Sequence, residues 1–189
     1  MSVTTLDPKT ALIVIDLQKG IVSNPSVIGA EPVVDHARTL ANAFRRHALP
    51  VVLVTVAGGA PGRTQLPPST AKRAPDWAEL IPELGPEPGD VSIVKRTWGA
   101  FASSDLAAQL QKLGVTHVVI AGISTSIGVE STARQAYELG LNVTLATDAM
   151  SDTNADAHHN SISLIFPRLG ETGSTREIID LLDARGPRA

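Results

Sequence analysis

Five short runs of Val, Ile and Leu punctuate the chain: ALIVID (11–16), VVLVTV (51–56), VSIVK (91–95), HVVIAG (117–122) and NVTLATDA (142–149). They are largely continuous rather than alternating. A strand with one wet face alternates apolar and polar residues, whereas a strand covered on both faces has no polar side to show. Helix-period segments at 32–47, 103–113, 127–140, 154–164 and 174–184 separate the runs. Strand and helix in alternation predict a doubly wound α/β domain, with helices on both faces of a mostly parallel sheet. With 189 residues, 43% of them hydrophobic and 19% charged, the chain has the apolar material for one core and is too short for two, so a single domain spanning 1–189 is expected.

One connection breaks the rhythm. Residues 57–89 form a Gly/Pro-rich excursion too long for a plain turn, with a short helical piece expected around Trp77–Leu80. Long loops in compact domains are usually functional or mobile. Along 127–140, Glu130, Arg134 and Glu138 stand four residues apart and read as a solvated helix face.

Composition narrows the partners. A net charge of −3 with no run of Lys or Arg leaves no electrostatic footprint for nucleic acid or an anionic membrane, so the expected partner is a small molecule. No apolar stretch approaches the roughly 20 residues that span a bilayer, and the first residues lack a signal-peptide pattern, so a cytoplasmic protein is expected. The absence of cysteine excludes disulfides, thiolate metal sites and thiol catalysis.

In open parallel sheets, ligands bind beyond the carboxyl ends of the strands, so strand ends are where chemistry should sit. The first run ends in Asp16, with Gln18 close behind; the third ends in Lys95; the fourth runs through Gly122 into AGISTSIGVESTA, residues 121–133. An acid, a base and a helix start therefore converge on one edge. Each has a plainer reading: Asp16 as a turn or helix cap, Lys95 as a surface lysine. Asp148 also ends a strand but is expected to be structural, with Ser151 and Asp152 around a helix start.

Familiar motifs fail on inspection. GISTSIG overlaps the G-x-S-x-G elbow in two registers, but Ser126 stands where the closing glycine would be and Ser124 where the opening one would be. A P-loop ending at Gly62 would need glycine at Ala57 and lysine at Arg63. His36, His47, His117, His158 and His159 form no metal-ligand spacing, so neither a metal nor a cofactor is expected.

ALIVIDLQ, VKRTWGAF, GISTSIGVESTA and ATDAMSD, in this order and spacing, resemble the isochorismatase-like, or cysteine hydrolase, superfamily over nearly the whole chain. The resemblance implies a three-layer α/β/α sandwich, and in most members an Asp–Lys–Cys triad that hydrolyses amides. Asp16 and Lys95 match the aspartate and lysine, while Gly128 holds the cysteine's place. Glycine has no side chain to attack with, so the covalent route is closed. The metal-binding branch carries aspartate and histidines after the second strand; this chain has no histidine from 48 to 116.

True isochorismatases also carry glycine at that position. They hydrolyse a vinyl ether to pyruvate and a dihydrodiol, a reaction that needs an acid and no covalent nucleophile. By resemblance Asp16 is that acid, Lys95 its partner, and Gly128 lends a backbone N–H and space at a helix start. The family's cis peptide would fall at Ile123–Ser124. Those enzymes carry a tyrosine where this chain has Ser124, and a tyrosine–serine pair where it has Trp98–Gly99. The substrate crevice would be shaped by Gln18, Arg63, Trp98, Phe101, Ser124 and Thr125, and Arg63, Lys72 and Arg73 in the long loop are suited to a carboxylate. The alternative is a catalytically inert or ligand-binding member that lost its thiol. The resemblance also implies a homo-oligomer.

Overall fold

The computed structural model describes residues 2–25, 27–66 and 72–185; residues 67–71 of the long loop lie outside them. Each of the five apolar runs forms a strand: β1 (Thr10–Ile15), β2 (Val51–Val56), β3 (Val91–Lys95), β4 (His117–Ile123) and β5 (Asn142–Ser151). A sixth, β6 (Glu171–Gly173), has no apolar run to announce it. The sheet order is β3-β2-β1-β4-β5-β6, with every neighbouring pair parallel.

Side chains of successive strand residues enter opposite layers, which is why the runs are continuous. Leu12 and Val14 of β1 pack with α2 (Ala30–Arg46) and α6 (Thr175–Asp183), through residues such as Leu40, Phe44, Ile178 and Leu182. Ala11, Ile13 and Ile15 pack instead with α3 (Leu106–Lys112) and α4 (Glu130–Glu138), through Leu106, Leu110, Ala133 and Ala136. The chain is thus a three-layer α/β/α sandwich. Two short helices, α1 (Lys19–Val22) and α5 (Ala155–Asn160), complete the set.

The chain leaves β1 toward β2 on one side and returns to β4 on the other, so the sheet's topological switch point lies between β1 and β4. That is where crevices open in such sheets. At this point β4 is Gly122, with φ 119°, and a Cβ there would sit 2.0 Å from the Ile15 carbonyl oxygen. Only glycine lets the two strand ends come this close.

Two local expectations are corrected. Around Trp77–Leu80 the chain makes a turn rather than a helix, and the helical piece is a 3-10 turn at Pro82–Leu84. The intervening backbone is spent on tertiary bonds, with Ile81 N–H donating to Leu17 O. Asp148 is structural, as expected, but at another helix than the one after Ser151. Its carboxylate instead accepts from the Thr175 N–H and hydroxyl at the start of α6.

Candidate active site

Asp16 follows β1 directly and adopts φ 55°, a left-handed conformation that costs a non-glycine residue about 1–2 kcal/mol and that aspartate tolerates better than most. Its N–H stays in the ladder, donating to Val54 O, while its carbonyl accepts from the Gln18 N–H. The residue is 4% exposed. Lys95, at the end of β3, reaches it past β2, and Nζ lies 2.8 Å from Asp16 Oδ2. The two remaining ammonium protons go to the carbonyls of Trp98 at 2.7 Å and Thr97 at 3.3 Å. Lys95 is 1% exposed with all its donors engaged, a buried cation of the kind that persists only when paired.

Asp16 Oδ1 is buried with no hydrogen-bond partner among the described residues. Burial raises the Asp16 pKa from its ordinary 3.8 to about 6, and the Lys95 charge and hydrogen bond pull it only partly back. Of the two opposed effects, desolvation prevails. Lys95 has no N–H left over for a substrate carboxylate in this arrangement.

Above the pair stands the turn after β4. The Ile123–Ser124 peptide is cis, followed by one π-helical turn (Thr125–Val129) that runs into α4. Gly128 lies on that turn. A Cβ there would be 3.2 Å from Asp16 Oδ2, 3.5 Å from Lys95 Nζ and 2.9 Å from Ile15 Cγ2. Position 128 therefore faces the acid–lysine pair directly, and the packing has closed to a distance that suits glycine. Thr132 ties the turn to the loop after β3: its hydroxyl donates to Gly128 O at 2.7 Å and accepts from the Ala100 N–H at 3.1 Å.

The remaining sequence candidates separate. Gln18 is fully buried, and its amide is spent on backbone: Nε2 donates to Val56 O and Trp77 O, and Oε1 accepts from the Val56 N–H. It clasps the start of the long loop to Trp77 within it. Thr125 is buried, with its hydroxyl 2.8 Å from His158 Nδ1. Phe101 packs partly into the α3/α4 core, and its N–H donates to Gln135 Oε1. Trp98 is 63% exposed, and its carbonyl rather than its ring meets Lys95. Ser124 is half-buried, with its carbonyl accepting from Ile127 and Val129. Arg63 and Lys72 are exposed in the long loop, and Arg73 stacks over the Trp77 ring at 4.1 Å.

A groove of about 930 Å³ between α1, α2 and the loop, lined by Lys19, Val34, Arg38, Trp77 and Ile81 among others, includes neither Asp16, Lys95 nor Gly128. Its size does not make it the reactive centre, because the perturbed carboxyl lies elsewhere. Among the described residues, no three His, Asp or Glu side chains are grouped to hold a metal ion. Sequence reading treated Asp152 as structural and missed the supporting parts played by Thr132 and His158, whose partners are distant in sequence.

The strand order, the layers and the side-chain contacts define a parallel-sheet α/β domain with a buried carboxyl–ammonium pair at its switch point. The isochorismatase domain family matches residues 10–177. An uncharacterised isochorismatase family protein of Escherichia coli O157:H7, YecD, is 45% identical over 182 residues, covering 92% of this chain and 96% of the relative. A similarly uncharacterised one of Bacillus subtilis (strain 168), YwoC, is 42% identical over 180 residues, covering 91% and 93%. An isochorismatase family protein from Burkholderia thailandensis superimposes with a TM-score of 0.91 at 41% identity, covering 96% of this chain and all of that one. The chain belongs to the isochorismatase family of hydrolases.

Proposed function

We propose that this hydrolase acts on a small, anionic vinyl ether by acid catalysis, without a covalent intermediate. The observation that carries the reading is Asp16: a buried carboxyl with a pKa near 6, whose Oδ1 has no partner among the described residues and whose Oδ2 faces a glycine where a nucleophile would stand. Protonated Asp16 gives its proton to the terminal carbon of the enol ether, and the other alkene carbon becomes an oxocarbenium ion. Water adds there, loses a proton, and the hemiketal collapses to pyruvate and an alcohol. Asp16 recovers its proton from solvent. A positioned acid of this kind is worth about 10²–10⁴ in rate.

In this scheme Lys95 holds Asp16 Oδ2 and leaves Oδ1 as the proton-bearing atom. Gly128 lets the turn pack closely over the pair, where a Cβ would crowd Ile15. Trp98, Phe101, Ser124 and Thr125 shape the surroundings, and Arg63 binds the substrate's carboxylate from the loop. Gln18 serves the site through the loop it clasps. The chain works as a homo-oligomer, in which association covers the exposed Val94, Trp98 and Ile127 beside the site.

One observation favours a second reading, a ligand-binding member without turnover: Lys95 has spent every N–H inside the protein. The assay that separates the two is pyruvate release from isochorismate by the native chain and by Asp16→Asn. Release that falls at least about 100-fold in the variant supports acid catalysis. Equal release from both, or none from either, overturns the assignment of Asp16 for that substrate.

A further inference from the structure

The turn that carries Gly128 is held from outside by two side chains of the β5–α5 segment, Asp152 and His158. Asp152 is 2% exposed, and its Oδ2 accepts from both the N–H of Ser126 at 2.7 Å and its hydroxyl at 2.8 Å. Its Oδ1 accepts from the N–H groups of Thr153 and Asn154. Asp152 is therefore a fixed post, with both oxygens filled by the protein itself. The adjoining tie, from Thr125 Oγ1 to His158 Nδ1 at 2.8 Å, differs in kind because an imidazole can change its role.

Thr125 has one hydroxyl proton and no exposed surface. When His158 is neutral with its proton on Nε2, the hydroxyl donates to Nδ1. When His158 is an imidazolium, Nδ1 donates and the Thr125 proton must turn to another acceptor within the turn. The bond survives both states while its direction reverses. A half-buried ring is suited to this, and a cavity of about 310 Å³ lies beside it, lined by Ile28, Met150, Asp148 and Asp152 among others. The charged groups around His158 are Asp152 at the end of β5, His159 on its own helix and Asp148 across that cavity.

We propose that His158 is a positioning residue for the Gly128 turn, acting through the Thr125 hydroxyl and reversing the direction of that hydrogen bond when it takes up a proton. The inference rests on the reading of Gly128 as part of the reactive site, but it concerns the geometry of the turn and needs no substrate. Burial lowers the His158 pKa from the ordinary 6.5, with Asp152 opposing, so the neutral ring is favoured at pH 7 and the reversal belongs to more acidic solution.

The test is a pH titration of the Gly128 backbone amide by two-dimensional NMR in the whole chain, with the His158 ring nitrogens followed in parallel. Asp16 also titrates near this amide, so the decisive quantity is the difference between the native chain and His158→Asn. Asparagine keeps a polar atom near the Nδ1 position and does not titrate. We expect the native Gly128 amide to show a component whose midpoint matches that of the His158 ring, and His158→Asn to lose that component while retaining the one from Asp16. Thr125→Val should also lose the His158-linked component. Superimposable Gly128 titrations in the native chain and both variants would overturn the proposal, and would do so whether or not any substrate is turned over.

Discussion

At the scale of single residues, the site is defined by one oxygen and one missing side chain. Asp16 Oδ2 is committed to Lys95 and Oδ1 to nothing among the described residues. Holding this carboxyl near pKa 6 rather than 3.8 has a thermodynamic consequence. The folded state binds the Asp16 proton more tightly than the unfolded state, so this group's contribution to stability is full below about pH 4 and is lost as pH rises through 6. The loss amounts to roughly 3 kcal/mol. Gly128 gives a second prediction. A Cβ there meets Ile15 Cγ2 at 2.9 Å, closer than side chains pack, so Gly128→Ala should lower stability by about 1–3 kcal/mol in urea unfolding. An unchanged midpoint would mean that Ile15 gives way freely and that the space above Asp16 is looser than described. Asp16, Lys95 and Gly128 could each be picked out from the sequence as strand-end or motif positions. That Lys95 spends its other two protons on the Thr97 and Trp98 carbonyls could not, because backbone acceptors leave no sequence signal.

At the scale of elements, the site depends on how closely β4 approaches β1. Gly122 lies where a Cβ would meet backbone rather than a movable side chain, at 2.0 Å from Ile15 O, and its φ of 119° excludes other residues as well. Gly122→Ala is therefore expected to cost at least about 3 kcal/mol, or to prevent folding, as measured by chemical denaturation. A loss below about 1 kcal/mol would contradict the close packing of the two strand ends. Elements with strong periodicity were legible: five strands from their apolar runs, α2 and α6 from their amphipathic faces. The three-residue β6, of sequence ETG, and the four-residue α1 were not, because neither is long enough to show a period. Gln18 shows the other limit. A polar residue two places after a strand-end acid reads as a ligand contact, yet its amide is spent on the backbone of Val56 and Trp77, which lie 38 and 59 residues further along the chain.

At the scale of the molecule, parallel β-α alternation was readable because every buried strand must be apolar on both faces. The strand order was not, since nothing in an apolar run names its neighbours. That order is what brings Lys95, at the end of an edge strand, across β2 to Asp16. Among the described residues no helix is long and apolar enough to cross a membrane. The same edge of the sheet leaves Val94 and Trp98 more than half exposed, at 55% and 63%, beside the buried Asp16–Lys95 pair. Association that covered them would exclude water from the site and strengthen its electrostatics. Sedimentation equilibrium should accordingly report a homo-oligomer, and Trp98→Asp should shift it toward monomer; a monomer at micromolar concentration in the native chain would contradict this.

Whatever the substrate, the proposed chemistry turns on the proton of Asp16, and that proton can be followed without one. The side-chain carboxyl carbon of Asp16, assigned by comparison with Asp16→Asn and titrated by carbon-detected NMR from pH 3 to 8, should show a midpoint of about 6. A midpoint at or below 3.8, the ordinary value for an aspartate, would mean that Lys95 offsets burial completely, leaving an ionised carboxylate near neutral pH with no proton to give.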